Sequence, residues 1–240
     1  MEEHRPQEDS TDQVIAYVRT LIDRGELRPG DRLPAERDLA TTVGVSRPTV
    51  RAGLRALNAM GVVRTRHGAG TFIPETPALD SEPLSFLAAL HGFTREEMYE
   101  ARRILEVGAA GLAAERATSE DLASISEEVA NLFATMNDPQ AFLVHDIRFH
   151  RLVAAASGNQ IVAALVEMVA ELYYERRRQT AERATGRNLH DAAELHRRVY
   201  QAIRAKDSER AMAAMNEHLL SSSAYQAEEE EKRNAEAAKA

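Results

Sequence analysis

LRPGDRLPAERDLATTVGVSRPTVRAGLRALNAMGVVRTRHGAGTFI, residues 27–73, decides how the first third of this 240-residue chain folds. Ala35-Glu36 opens a short helix that closes at Val43-Gly44, and Val45-Ser46 leads into a second. Ser46 suits the N-cap, where its side-chain oxygen accepts from an orphan backbone N–H. Pro48 falls in the first turn, where a missing N–H is tolerated. Two short helices about a glycine turn form a helix-turn-helix. The following VVRTRHGAGTFI reads as two short strands around Gly68-Ala69-Gly70, a hairpin that makes a wing. Upstream, Val14, Ile15, Val18, Leu21 and Ile22 supply the apolar face of a first helix that stops near Gly25.

Outward from this stretch, charge separates two parts of the chain. The whole carries a formal net charge of -8, which argues against a polyanion partner. The average hides an asymmetry. Up to residue 74 there are eleven basic and ten acidic residues, and beyond it nineteen and twenty-eight. Between Gly44 and Phe72 lie five arginines, Arg47, Arg51, Arg55, Arg64 and Arg66, and no acidic side chain. Such a local patch is what a nucleic-acid reader needs. A helix fits the major groove, its N-terminal N–H groups meet phosphate, and arginine bridges guanine O6 and N7. Arg47 and Arg51, four apart, share a helical face. Thr49 stands near it, Arg37 lies at the start of the preceding helix, and His67 and Gly68 sit at the wing tip. Arg55, one turn on, is placed to pack or pair within the protein.

Composition excludes several classes. The chain has no cysteine, so disulfides, thiolate nucleophiles, iron–sulfur clusters and cysteine zinc sites are absent. With 5% aromatic residues and no tryptophan, stacking platforms for single strands or sugars are not expected. No apolar run approaches the roughly 20 residues needed to span a bilayer. The acidic, polar start MEEHRPQEDSTD is unlike a signal peptide. No membrane partner is expected, and the expected location is the cytoplasm.

The segment from Leu27 to Ile73 resembles the DNA-reading winged helix of the GntR family of bacterial transcription regulators. The Leu-Pro-Ala-Glu-Arg run, the Gly-Val-Ser-Arg turn and the HGAGTF wing follow in the family's order. The resemblance implies operator contacts by Arg37, Ser46, Arg47, Thr49, Arg51, His67 and Gly68, with double-stranded DNA as partner. Without it, the same arginines could serve only as a solvated helical surface.

PETPALDSEP, with prolines at 74, 77 and 83, reads as a linker or boundary, and Leu84–His91 as a short helix. Beyond it the pattern is helical, near 95–117, 120–135, 139–157, 159–178, 188–205 and 207–225. The expected fold is mainly α, an N-terminal winged helix-turn-helix followed by an all-helical bundle of six or seven helices. The expected organisation is a DNA-binding domain over 8–74, a linker over 75–92, a helical domain over 93–225 and a polar tail, frayed or disordered, over 226–240.

In that helical part, HDIRFH places Asp146 and His150 four apart on one face, with His145 turned some 100° away from Asp146. A carboxylate oxygen and an imidazole nitrogen one turn apart can converge on an ion. His196 and His218 lie on separate helices, and a bundle permits all four to meet. Such a set suits zinc, nickel, manganese or iron. Taken as residues alone, these histidines could equally be ordinary surface or core ones.

Residues 95 to about 224 resemble the FCD ligand-binding domain through Arg102-Arg103-Ile104-Leu105-Glu106, Asp146–His150, His196 and His218. The resemblance implies that Asp146, His150, His196 and His218 coordinate a divalent metal, zinc first, with nickel, manganese or iron as alternatives. It also implies that Arg102 faces an effector cavity, where a guanidinium suits a small organic acid's carboxylate. Arg102 could instead pair with Glu106, and Arg103 is a neighbouring competitor. A homodimer on inverted half-sites is expected, its operator binding modulated by the acid, with repression relieved as the expected sign. A purely structural metal is the alternative. A hydrolase is remote: HExxH is absent, and nothing selects a base among Glu106, Glu167, Glu171 and Glu194. No enzyme activity is expected.

Overall fold

A computed structural model describes residues 10–75, 82–178 and 186–237. The chain divides into two compact units, Met1–Asp80 and Ser81–Ala240.

The first unit contains α1 (Ser10–Asp23), α2 (Glu36–Val43), α3 (Arg47–Ala59), β1 (Arg64–Arg66) and β2 (Gly70–Phe72). Helix α1 buries Val14, Val18 and Leu21, spaced at four and three. Gly44, in the left-handed conformation at φ 78°, ends α2 and turns the chain into α3. Ser46 caps α3 as expected, its hydroxyl accepting from the Thr49 N–H. Val14, Val18, Leu39, Val50, Leu57 and Val63 close the core, each at most 4% exposed. Burial of each large side chain contributes about 1.5–3 kcal/mol. Helices α1 and α3 approach closely because Gly53 has no side chain. A Cβ there would lie 2.7 Å from Val14 Cβ.

The wing is an antiparallel pair with Arg64 opposite Phe72, Thr65 opposite Thr71 and Arg66 opposite Gly70. Gly68 turns it at φ 75°, a conformation that costs glycine little. The segment before α2 also pairs with the wing. Arg32 forms a bridge with Phe72, and the Leu33 N–H donates to the Thr71 carbonyl at 2.8 Å. That third, single-residue rung has no signal in the sequence, because one bridge needs no alternating run.

The second unit is all helical: α4 (Glu82–His91), α5 (Arg95–Arg116), α6 (Ser119–Ala134), α7 (Pro139–Ala156), α8 (Gln160–Arg178), α9 (Gly186–Arg204) and α10 (Ser208–Ala237). Capping boxes start α5 at Thr94 with Glu97 and α6 at Thr118 with Asp121. Asp138 caps α7 ahead of Pro139, and the Asn159 side chain accepts from two N–H groups at the start of α8. The core joins Ile125, Leu132, Phe149, Ile203, Met215 and Leu219 to alanines 110 and 113 of α5. Helix α5 packs on α7, α8 and α10.

Several boundaries differ from the sequence reading, most of them by one or two residues. Helix α9 begins at Gly186 rather than Asn188. Helix α10 runs on to Ala237, so residues 226–237 continue it where a frayed or disordered tail was expected. These turns have no apolar stripe, but polar contacts hold them to the bundle. Gln226 Nε2 donates to the Tyr173 hydroxyl at 3.0 Å, Arg177 Nη1 donates to Glu229 at 2.7 Å, and Glu230 lies 3.8 Å from Arg95. Residues 1–9, 76–81 of the expected linker and 238–240 lie outside the described residues. Among the described residues no helix is long and apolar enough to cross a membrane.

Candidate functional site

Three helices build the centre of the second unit. Helix α7 presents Asp146 and His150 one turn apart, α9 presents His196 and α10 presents His218. One ligand atom from each lies within 4.8 Å of all the others, and all four residues are buried. His196 Nε2 stands 3.1 Å from Asp146 Oδ1, and the Nε2 atoms of His150 and His218 stand 3.1 Å apart. Phe149, on the same helix as His150, meets the His196 ring edge-on at 4.7 Å between centroids and closes one side.

The ionisation of these groups suits a cation. Burial, reinforced by His196 and His150, pushes His218 well below the ordinary histidine value, which leaves a neutral imidazole at neutral pH. Burial alone would raise Asp146, but its hydrogen bond with His196 and the charges of His150, His196 and Arg102 keep it ionised. Asp146 Oδ2 and His218 Nδ1 are buried with no hydrogen-bond partner. Buried polar groups are seldom left unpaired. Orphaned atoms in a convergent set of three imidazoles and a carboxylate fit a divalent ion bound through nitrogen and oxygen.

Surrounding groups orient the ligands. His196 Nδ1 donates to the Ala192 carbonyl at 2.7 Å, which fixes the ring with Nε2 facing the cluster. His150 Nδ1 lies against Glu106 Oε2 of α5. Arg102 Nε donates to Glu106 Oε1 at 2.6 Å, and its guanidinium carbon lies 4.2 Å from the Tyr173 ring centroid and 5.6 Å from that of Tyr99. Burial would raise Glu106, but the Arg102 guanidinium and His150 lower it to about 2. Arg102 therefore pairs with Glu106 in the interior. Arg103, by contrast, is exposed and donates to Asn216. His145 points elsewhere and pairs with Glu128 of α6 at 2.6 Å.

Beside the cluster lies a cavity of about 140 Å³ lined by Asp146, His218, Tyr173, Arg177, Tyr225 and Gln226 among others. Arg102 stands behind Tyr173. Arg177 and Gln226 have no signal in the sequence, because a run such as YYERRR does not tell which arginine turns inward. Glu106 is legible there only as a partner for Arg102 or as one of several carboxylates, because its approach to His150 crosses between helices.

In the first unit the positions expected to read DNA lie on the helix-turn-helix and wing. Arg47 and Arg51 are exposed on α3, and Glu36 of α2 lies 2.8 Å from Arg51 Nε and 4.0 Å from Arg47 Nη2. One carboxylate thus aligns both guanidinium groups. Ser46 Oγ and Thr49 Oγ1 are 2.7 Å apart, and Arg37 Nε donates to Asp38 at 3.5 Å. His67 and Gly68 are exposed at the wing tip.

A family model described as "Bacterial regulatory proteins, gntR family" matches residues 10–73, and one described as "FCD domain" matches 97–221. The chain is 34% identical over 206 residues to the HTH-type transcriptional regulator LutR of Bacillus subtilis, covering 83% of this chain and 93% of that one. It is 30% identical to the HTH-type transcriptional repressor NanR of Klebsiella aerogenes over 223 residues, covering 89% and 84%. Among solved structures, Streptococcus agalactiae GntR superposes with a TM-score of 0.68 at 26% identity, covering 90% of this chain and 99% of that one. The relatives named here are transcriptional regulators, in keeping with a non-catalytic role.

Proposed function

The chain belongs to the GntR family of bacterial regulatory proteins and carries an FCD domain, and from that premise we propose a repressor released from its operator by a small organic acid bound beside a divalent metal. The observation that carries this reading is the convergence of Asp146, His150, His196 and His218 at the wall of a cavity. At about 140 Å³ the cavity is well below the roughly 300–1,000 Å³ of drug-sized pockets, so the ligand has only a few carbon atoms. Its carboxylate would find positive charge at the ion and at the arginines near it. Arg102, held behind Tyr173, adds to that field.

Asp146, His150, His196 and His218 would hold the ion, zinc first, with nickel, manganese or iron also suited. Four protein ligands complete a tetrahedron, so direct contact with the acid requires an ion able to take a fifth or sixth ligand. At the other end, Arg47 and Arg51 would enter the major groove and Ser46, Thr49 and Arg37 would meet phosphate or a groove edge. His67 and Gly68 would approach the minor groove. A homodimer would read inverted half-sites, working in the cytoplasm where its operator lies. One relative is itself named a repressor, which supports the sign.

Two measurements test the reading. Elemental analysis of the His150→Ala and His196→Ala variants should show loss of an ion present at one per chain in the unaltered protein; full retention would show that the ligands lie elsewhere. Operator titrations with and without short hydroxy acids, on the metal-loaded protein, should show at least a five-fold change in affinity. That corresponds to the lower end of the roughly 1–3 kcal/mol typical of coupled sites. An ion with no acid response would leave the metal a purely structural part.

A further inference from the structure

Arg177 of α8 lines the 140 Å³ cavity, and a smaller cavity of about 40 Å³ shares Asp146, Tyr173, Arg177 and Leu189 with it. Its side chain is 9% exposed. Among the described residues lining the larger cavity, it alone carries a fixed positive charge. Its Nη1 donates at 2.7 Å to Glu229 Oε2, on the turns of α10 beyond Gln226. Glu229 is itself 13% exposed and also engages Tyr225, another residue of the cavity wall. A carboxylate of the same chain thus occupies the Arg177 guanidinium beside the cavity. Gln226, one turn earlier, lines the same cavity and donates to Tyr173.

We propose that Arg177 receives the carboxylate of the acid and that Glu229 is its resident substitute, displaced when the acid enters. The inference rests on the organic-acid reading above and adds the residue that recognises the carboxylate and the element that responds. A guanidinium pairs best with a carboxylate that meets it through two parallel hydrogen bonds. Glu229 is tethered to α10 and meets Arg177 from one side, whereas a small acid free to orient itself can make the better pair. Once displaced, Glu229 cannot remain buried and unpaired, because an uncompensated charge in the interior is strongly unfavourable. The Glu229 side chain must then turn to solvent, and the turns of α10 around it lose the contact with Arg177 that helps to hold them. The ligand class follows: a monocarboxylate or dicarboxylate of few carbons, one carboxylate on Arg177 and its remaining oxygens toward His218 and the ion.

The test uses the full-length, zinc-loaded protein with glycolate, lactate and malate as probes, titrated by calorimetry into three forms. Glu229→Gln, which removes the competing charge, should bind the responding acid several-fold more tightly than the unaltered protein. Arg177→Met should bind it at least ten-fold more weakly. In the unaltered protein, amide exchange over residues 226–237 should accelerate when the acid is present. Equal affinity in Arg177→Met and the unaltered protein overturns this proposal and leaves the organic-acid reading standing. Unchanged affinity in Glu229→Gln, or unchanged exchange over 226–237, overturns the substitute role. If no probe binds the unaltered protein or Glu229→Gln, both the proposal and the organic-acid reading fall.

Discussion

Glu106 shows how one side chain sets both the stability and the chemistry of the centre. It lies between the buried Arg102 guanidinium and His150, so removing its charge affects two partners. In Glu106→Gln, Arg102 is left as a buried charge without a carboxylate, a change that costs on the order of 3–5 kcal/mol. The variant also loses the acceptor that fixes the His150 ring, and such outer contacts are worth roughly 10–100-fold in metal affinity. Chemical denaturation and chelator competition should show both losses. The double variant Arg102→Met, Glu106→Gln should recover most of the stability while keeping the weak metal binding; recovery of both would mean that Glu106 does not orient His150. Acid should act on the metal-free protein at the same residues. His218 and Glu106 both bind protons less readily folded than unfolded, so the unfolded chain takes up more protons as pH falls. Stability should therefore be full above about pH 6.5, decline below it through His218, and decline further from about 4.5 toward 2 through Glu106. A flat denaturation midpoint between pH 7 and 4 would contradict this.

At the scale of elements, caps and close approaches decide where helices begin and how they meet. Gly53→Ala puts opposing effects in one substitution. Alanine gains about 1 kcal/mol of helix propensity, but its Cβ would stand 2.7 Å from the stiff, branched Val14. Overpacking of that kind costs about 1–3 kcal/mol, so a lower melting temperature of the first unit is expected; an unchanged or higher one would show that α1 shifts freely away from α3. The Ser46 cap and Gly44 turn were readable from the sequence because capping chemistry is local. The extension of α10 past residue 225 was not. Its turns have no apolar stripe, and the contacts that keep them helical, Gln226 with Tyr173 and Glu229 with Arg177, come from a distant helix. The Arg32 bridge to the wing escaped for the same reason.

Over the whole molecule, the net charge of -8 describes a basic reading surface joined in one chain to an acidic helical bundle. Under the proposed two-fold operator reading, each substitution on α3 counts twice. Arg47→Ala or Arg51→Ala should weaken specific operator binding by about 1–3 kcal/mol per half-site if the arginine meets a base, and flatten the salt dependence if it meets phosphate. Mobility-shift titrations at two salt concentrations distinguish these outcomes; binding unchanged at both would exclude that arginine from the reading face. Sedimentation should give twice the chain mass under the same conditions, and a monomer would remove the two-fold argument. The sequence by itself determined the helix-turn-helix, the wing and the helical succession, since caps, turns and periodic apolar faces are written in neighbouring residues. It also named Asp146, His150, His196 and His218 as able to meet. Tertiary structure decided that they do meet, that Glu106 orients His150 with Arg102 behind it, and that Arg177 lines the cavity. Those outcomes depend on how helices rotate and pack against one another, which residue spacing along a single helix does not specify.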